Sequence, residues 1–92
     1  GHVVVTLILD EAHEPLGDPW CELMGLPETG SSNTALVDVL EHDLGQLLGR
    51  ADAKTLRDDD KLSEAMRRAV RNSAQGEIGK KPEVTVVVSR LQ

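Results

Sequence analysis

His2-Val3-Val4-Val5-Thr6-Leu7-Ile8-Leu9-Asp10 and Val84-Thr85-Val86-Val87-Val88-Ser89-Arg90-Leu91 are the two valine-rich segments of this 92-residue chain. Both are dominated by β-branched and aliphatic residues, which suit a pleated, half-buried surface, and each is long enough to cross a sheet. The second is led in by Gly79-Lys80-Lys81-Pro82, directly after a helical pattern. Strands near both ends of so short a chain come together in one small sheet. Everything between them then serves as connection and cover.

Working inward, Glu11 to Asp18 (EAHEPLGD) is a polar connection holding a Pro and a Gly, and Pro19 to Leu26 (PWCELMGL) reads as a second strand antiparallel to the first. Pro19 at its start and Gly25 near its end point to a sheet edge. Pro27 to Asn33 (PETGSSN) is a turn, and Ser31, Ser32 or Asn33 is suited to cap the helix that follows. That helix carries Leu36, Leu40, Leu44, Leu47, Leu48 and Ala51 on one face and ends near Gly49. Asp52 to Asp60 is polar and acidic, with three aspartates placed where a helix N-terminus favours negative charge. A second helix has Leu62, Ala65, Met66, Ala69 and Val70 at spacings of three and four, and closes at Gly76 or Gly79. Pro82 to Leu91 is the last strand. The expected architecture is α+β: one domain over 1–92, a small three-stranded β-sheet covered on one face by two α-helices, in the order β-β-α-α-β.

Alternation along a strand sends Val3, Val5, Leu7 and Leu9 to one face of the sheet and Val4, Thr6, Ile8 and Asp10 to the other. In the last strand Val84, Val86 and Val88 oppose Thr85, Val87 and Ser89 in the same way. Two helices cover one face of such a sheet. The other face exposes Val4, Ile8 and Val87 beside Thr6 and Thr85, more apolar than solvent alone requires, and is the expected protein interface.

Composition narrows the function classes. Asp and Glu outnumber Lys and Arg by 16 to 10, a net charge of -6, which disfavours a nonspecific grip on nucleic acid and favours solubility. There is no Phe or Tyr and one Trp, so the core is aliphatic. Ordering costs roughly 1.5 kcal/mol per residue, which burial in a domain of this size only narrowly offsets, so a partner surface would help. The single Cys21 has no disulfide partner within the chain, and no apolar run approaches the ~20 residues needed to cross a bilayer. With no signal peptide in view, a cytoplasmic location without membrane contact is expected.

Candidate chemistry is sparse. His42 follows Asp38 by four residues, a spacing that can present two metal ligands on one helix face, but no further Cys or His stands at a supporting interval. His2 and His13 are isolated, Cys21 lacks an activating context, and the glycines never fall into a phosphate-loop spacing. No catalytic, cofactor or metal residue is therefore expected. Arg67, Arg68 and Arg71 on the second helix, with Lys80, Lys81 and Arg90 placed near its far end, form the one basic candidate for RNA phosphates. Asp58 to Asp60 and Glu64 neutralise it locally, and base-stacking aromatics are missing apart from Trp20.

Asp60-Lys61-Leu62, then Met66-Arg67-Arg68-Ala69-Val70-Arg71, then Gly79-Lys80-Lys81-Pro82 before Val84, Val86 and Val88 resembles the C-terminal domain of ribonuclease J. The opening Gly1-His2-Val3-Val4-Val5 and the order of elements agree, so the resemblance runs over essentially the whole chain. It implies an accessory domain of a metallo-β-lactamase and β-CASP ribonuclease, an enzyme that degrades and processes RNA with two metal ions, zinc by expectation, in a His-rich catalytic domain. None of that domain's H-x-H-x-D-H ligands occurs in this sequence. The implied role is support of oligomer assembly, and through it activity. The implied partners are other copies or the catalytic domains, with RNA as the enzyme's substrate. An RNA-binding module using Arg67, Arg68, Arg71, Lys80 and Lys81 is the alternative.

Overall fold

The computed structural model describes residues 1–91. Three strands, β1 (His2–Leu9), β2 (Trp20–Met24) and β3 (Glu83–Arg90), form one sheet in the order β2-β1-β3. β1 is antiparallel to β2, with Val3 opposite Leu23 and Val5 opposite Cys21, and parallel to β3, with Val3 beside Val84, Val5 beside Val86 and Leu7 beside Val88. The second strand is an edge strand, as its Pro and Gly indicate, and is shorter than the segment 19–26. A parallel pair needs a long crossover. The helices supply it: α1 (Leu36–Arg50), α2 (Ala53–Arg57) and α3 (Asp59–Ile78).

The core is the meeting of three apolar rows. Val3, Val5, Leu7 and Leu9 line the inner face of β1, Leu36, Leu40, Leu44 and Leu48 stand at every fourth position of α1, and Leu62, Met66, Val70 and Ala74 do the same on α3. Each fully buried aliphatic side chain contributes about 1.5–3 kcal/mol of transfer free energy. Because helices cover only the inner face, the expected α+β arrangement with one open sheet face is what forms.

Three local details differ from the sequence reading. The acidic segment after α1 contains a helix of its own, α2, because Asp52 accepts the Thr55 N–H (2.8 Å) and Asp58 accepts the Lys61 N–H (3.0 Å), so two caps start two helices within seven residues. The Thr55 backbone N–H, and its hydroxyl second, hold the Asp52 carboxyl below its ordinary range. Serine capping of α1 is absent. Ala35 occupies the N-cap, the Leu36 N–H donates to the Glu28 carbonyl (2.7 Å), and Ser31 and Ser32 bond instead to Gly76 and Glu77 at the end of α3. Gly30 permits that approach, since a Cβ there would sit 2.6 Å from the Glu77 carbonyl oxygen. Finally, α3 closes at Gly79 rather than Gly76, with Gly79 left-handed (φ 68°) and its N–H on the Gln75 carbonyl.

Candidate functional site

The registers assemble the open face row by row. His2 lies between Met24 and Glu83, Val4 between Glu22 and Thr85, Thr6 between Trp20 and Val87, and Ile8 beside Ser89. Val4, Thr6, Ile8, Thr85 and Val87 therefore do share one surface. Two larger members join them from β2: Trp20 is 61% exposed and Met24 50%, beside Ile8 at 41% and Val87 at 43%. Exposed Leu16, whose N–H donates to the Ile8 carbonyl (2.8 Å), extends the patch past the end of β2. Sequence reasoning missed Trp20 and Met24, although the signal was present. With Cys21 and Leu23 facing inward, the alternation of WCELM sends Trp20, Glu22 and Met24 outward.

The basic residues are elsewhere and are divided. Arg67 bonds to Glu64 (2.8 Å) and reaches the Val84 carbonyl through Nε (3.4 Å), while Arg68 stands 3.6 Å from the same Glu64. Arg71, Lys80 and Lys81 are exposed along the last turns of α3 and beyond it. Arg90 does not join them. Since β3 runs antiparallel to α3, Arg90 lies at the other end of that helix, on Asp59 (2.7 Å). The expected cluster is thus split by the direction of the last strand, and its α3 portion is partly neutralised.

The remaining candidates for chemistry stand apart from one another. His42 lines a shallow open groove with Asp18, Glu41, Gly45 and Gln46, and no group of three or more His, Cys, Asp or Glu side chains is placed to hold a metal ion. No described helix is long and apolar enough to cross a membrane. Cys21 is buried, and its backbone N–H donates to Glu41 Oε2 (2.9 Å). Burial first, and the Glu41 charge second, push its thiol up to about 12. Native protein is therefore expected to resist iodoacetamide at pH 8, while urea-unfolded chain is alkylated rapidly. Because the folded value is the raised one, stability is undiminished below the ordinary thiol range and falls as pH climbs toward 12. Equal alkylation rates with and without urea would contradict this burial.

A family model for the ribonuclease J C-terminal domain matches residues 1–91. The chain belongs to that family. The curated ribonuclease J of Sinorhizobium meliloti (strain Sm2011 / Rm2011 / 2011) is 40% identical over 94 aligned positions, which take in 99% of this chain and 16% of that protein. The chain thus spans about one sixth of the length of the relative it matches. For a ribonuclease J C-terminal domain, the layout just described is a helix-backed sheet that offers one exposed, partly apolar face.

Proposed function

We propose that this chain is the non-catalytic C-terminal domain of a ribonuclease J-like RNA-degrading enzyme, and that it supports oligomer assembly and thereby the activity of the whole enzyme. In this reading, hydrolysis of RNA is carried out in a separate catalytic domain by the two divalent ions characteristic of the resemblance, in the cytoplasm, and this domain contributes a contact surface. The observation that carries the proposal is the open sheet face, where Trp20, Met24, Ile8 and Val87 stand exposed beside Val4. A large aromatic and a thioether on one strand face, on either side of Glu22, are side chains that interface centres favour. The contact area would come from other copies of the domain or from the catalytic domains.

Trp20 is the only tryptophan of the chain and reports directly on that face. Its emission is expected to move to shorter wavelength when the domain meets its partner, as the indole leaves water. In the full-length enzyme, Val4→Lys combined with Met24→Lys should lower both the assembled fraction on sedimentation and the rate of RNA degradation, with the far-ultraviolet dichroism of the isolated domain unchanged. The reading fails if this double variant assembles and degrades RNA like the parent.

RNA contact by Arg67, Arg68, Arg71, Lys80 and Lys81 has less support, because Glu64 engages two of the five.

A further inference from the structure

β3 is an edge strand of eight residues whose outer side is unguarded. The Glu83 N–H donates to the Gly1 carbonyl (3.1 Å) and the Leu91 N–H to the Leu9 carbonyl (2.9 Å), so the odd-numbered residues turn their backbone groups toward β1. Val84, Val86, Val88 and Arg90 turn theirs outward. Among the described residues only the Val84 carbonyl finds a partner on that side, Arg67 Nε. The opposite edge is better defended: there Glu41 accepts the outward Cys21 N–H. Edge strands are normally blunted by charge, proline or a bulge. From Val84 to Ser89 this one has no charge or proline, and its eight residues pair with β1 in unbroken succession. Val86 and Val88 are also only half-buried, although their β1 neighbours Val5 and Leu7 are fully covered.

Beside this edge runs a stripe of four charges on α3. Asp60, Glu64, Arg67 and Arg71 fall within roughly 60° of arc on a regular helix, and Arg67 places the stripe against β3 by its bond to Val84. Two acids come first and two bases follow. Arg90 reaches Asp59 whereas Val84 is reached by Arg67, so the acids lie toward the end of β3 and the bases toward its start. A two-fold interface must be complementary to itself. Such a stripe is self-complementary in the antiparallel sense alone, since a parallel neighbour would set acid against acid.

We infer that β3 pairs edge to edge with β3 of a second copy of this chain, antiparallel about a two-fold axis near Val86 and Val87. The two three-stranded sheets become one continuous sheet, Asp60 of each copy faces Arg71 of the other, and the Glu64–Arg67 pairs, 2.8 Å within each chain, lie between them and can exchange partners across the axis. This inference rests on the assembly reading above but assigns the contact between copies to a different surface. The net charge of -6 per copy opposes association at long range, where salt screens it, and the stripe acts at contact distance.

Sedimentation of the chain with amide exchange at Val86 and Val88 tests the pairing. A dimer with slowed exchange at both amides is expected. Val86→Pro should abolish it without unfolding the domain, because that N–H has no partner within the sheet. Arg67→Glu with Arg71→Glu should also give monomers, and adding Asp60→Lys and Glu64→Lys to the same chain should restore the dimer. Trp20→Lys with Met24→Lys, both on β2 at the opposite edge of the sheet, is the open-face variant for this chain, and a dimer that persists in it assigns the contact between copies to β3. A dimer that survives Val86→Pro overturns the edge pairing. If the open-face variant dissolves that dimer, the open face is the contact between copies. Loss of the dimer in Val86→Pro with full assembly in the open-face variant keeps the edge pairing and removes the open-face reading. A monomer with fast exchange at the highest attainable concentration overturns the inference. So does protection at Val86 and Val88 that appears only inside a monomeric full-length enzyme, which would assign the edge to the rest of its own chain.

Discussion

Leu7→Ala is expected to destabilise the domain by about 3–5 kcal/mol, the range for removing a fully buried leucine and leaving a cavity. Leu7 sits on the central strand, pairs with Val88, and is among the largest side chains wholly withdrawn from water. A domain of this length holds roughly 5–14 kcal/mol in total, so the loss removes a large part of its stability. The melting temperature should fall by at least about 12 °C, at roughly 4 °C or more per kcal/mol. Ile8→Ala, one residue along on the exposed face, is the control and should cost less than about 1 kcal/mol. Thermal denaturation followed by circular dichroism separates the two. Similar shifts for both variants would mean that the inner and outer faces of β1 are not distinguished as described.

Arg90→Ala should cost about 2 kcal/mol, through geometry rather than charge alone. Its guanidinium, 19% exposed, donates through Nε and Nη2 to Asp59 Oδ1 (2.9 and 2.7 Å) and through Nη2 to the Leu56 carbonyl (2.8 Å). Nη1 lies 2.7 Å from His13 Nδ1, a contact that makes that nitrogen the acceptor and puts the ring proton on Nε2. One side chain thus ties the end of β3 to α2, to the first turn of α3 and to the β1–β2 connection, where His13 is left-handed (φ 64°). Asp59 is largely exposed and regains water when its partner is removed, which holds the cost below that of a buried pair. Arg90→Lys should recover less than half of the loss, because an ammonium cannot span three acceptors in a planar fork. Urea denaturation of the three proteins tests this. A lysine variant as stable as the parent would refute the fork.

The architecture was legible because its signals are short-range. Alternation in HVVVTLILD separated Val3, Val5, Leu7 and Leu9 from Val4, Thr6 and Ile8, and the fourfold spacing from Leu36 and from Leu62 marked the covering helices. Gly79 was one of two candidates for the stop of α3, and the left-handed cap decided between them. The open face was likewise legible on β1 and β3. It was incomplete because Trp20 and Met24 join it through pairing with residues fourteen or more positions away.

What the sequence determined alone is the set of faces: which residues are buried, which strand lies at an edge, and the absence of a recognisable catalytic motif. These follow from periodicity and residue chemistry within a few positions of each other. Only the tertiary structure decided that the last strand runs parallel to the first, which carries Arg90 away from Lys80 and Lys81 and onto Asp59. It also drew Ser31 and Ser32 from the N-terminus of α1 to the end of α3, and set an acid-then-base stripe beside an unpaired strand edge. Strand direction and helix-end partners are chosen by packing between segments far apart in the chain. The free-energy difference resides in those distant contacts, so no local pattern records it.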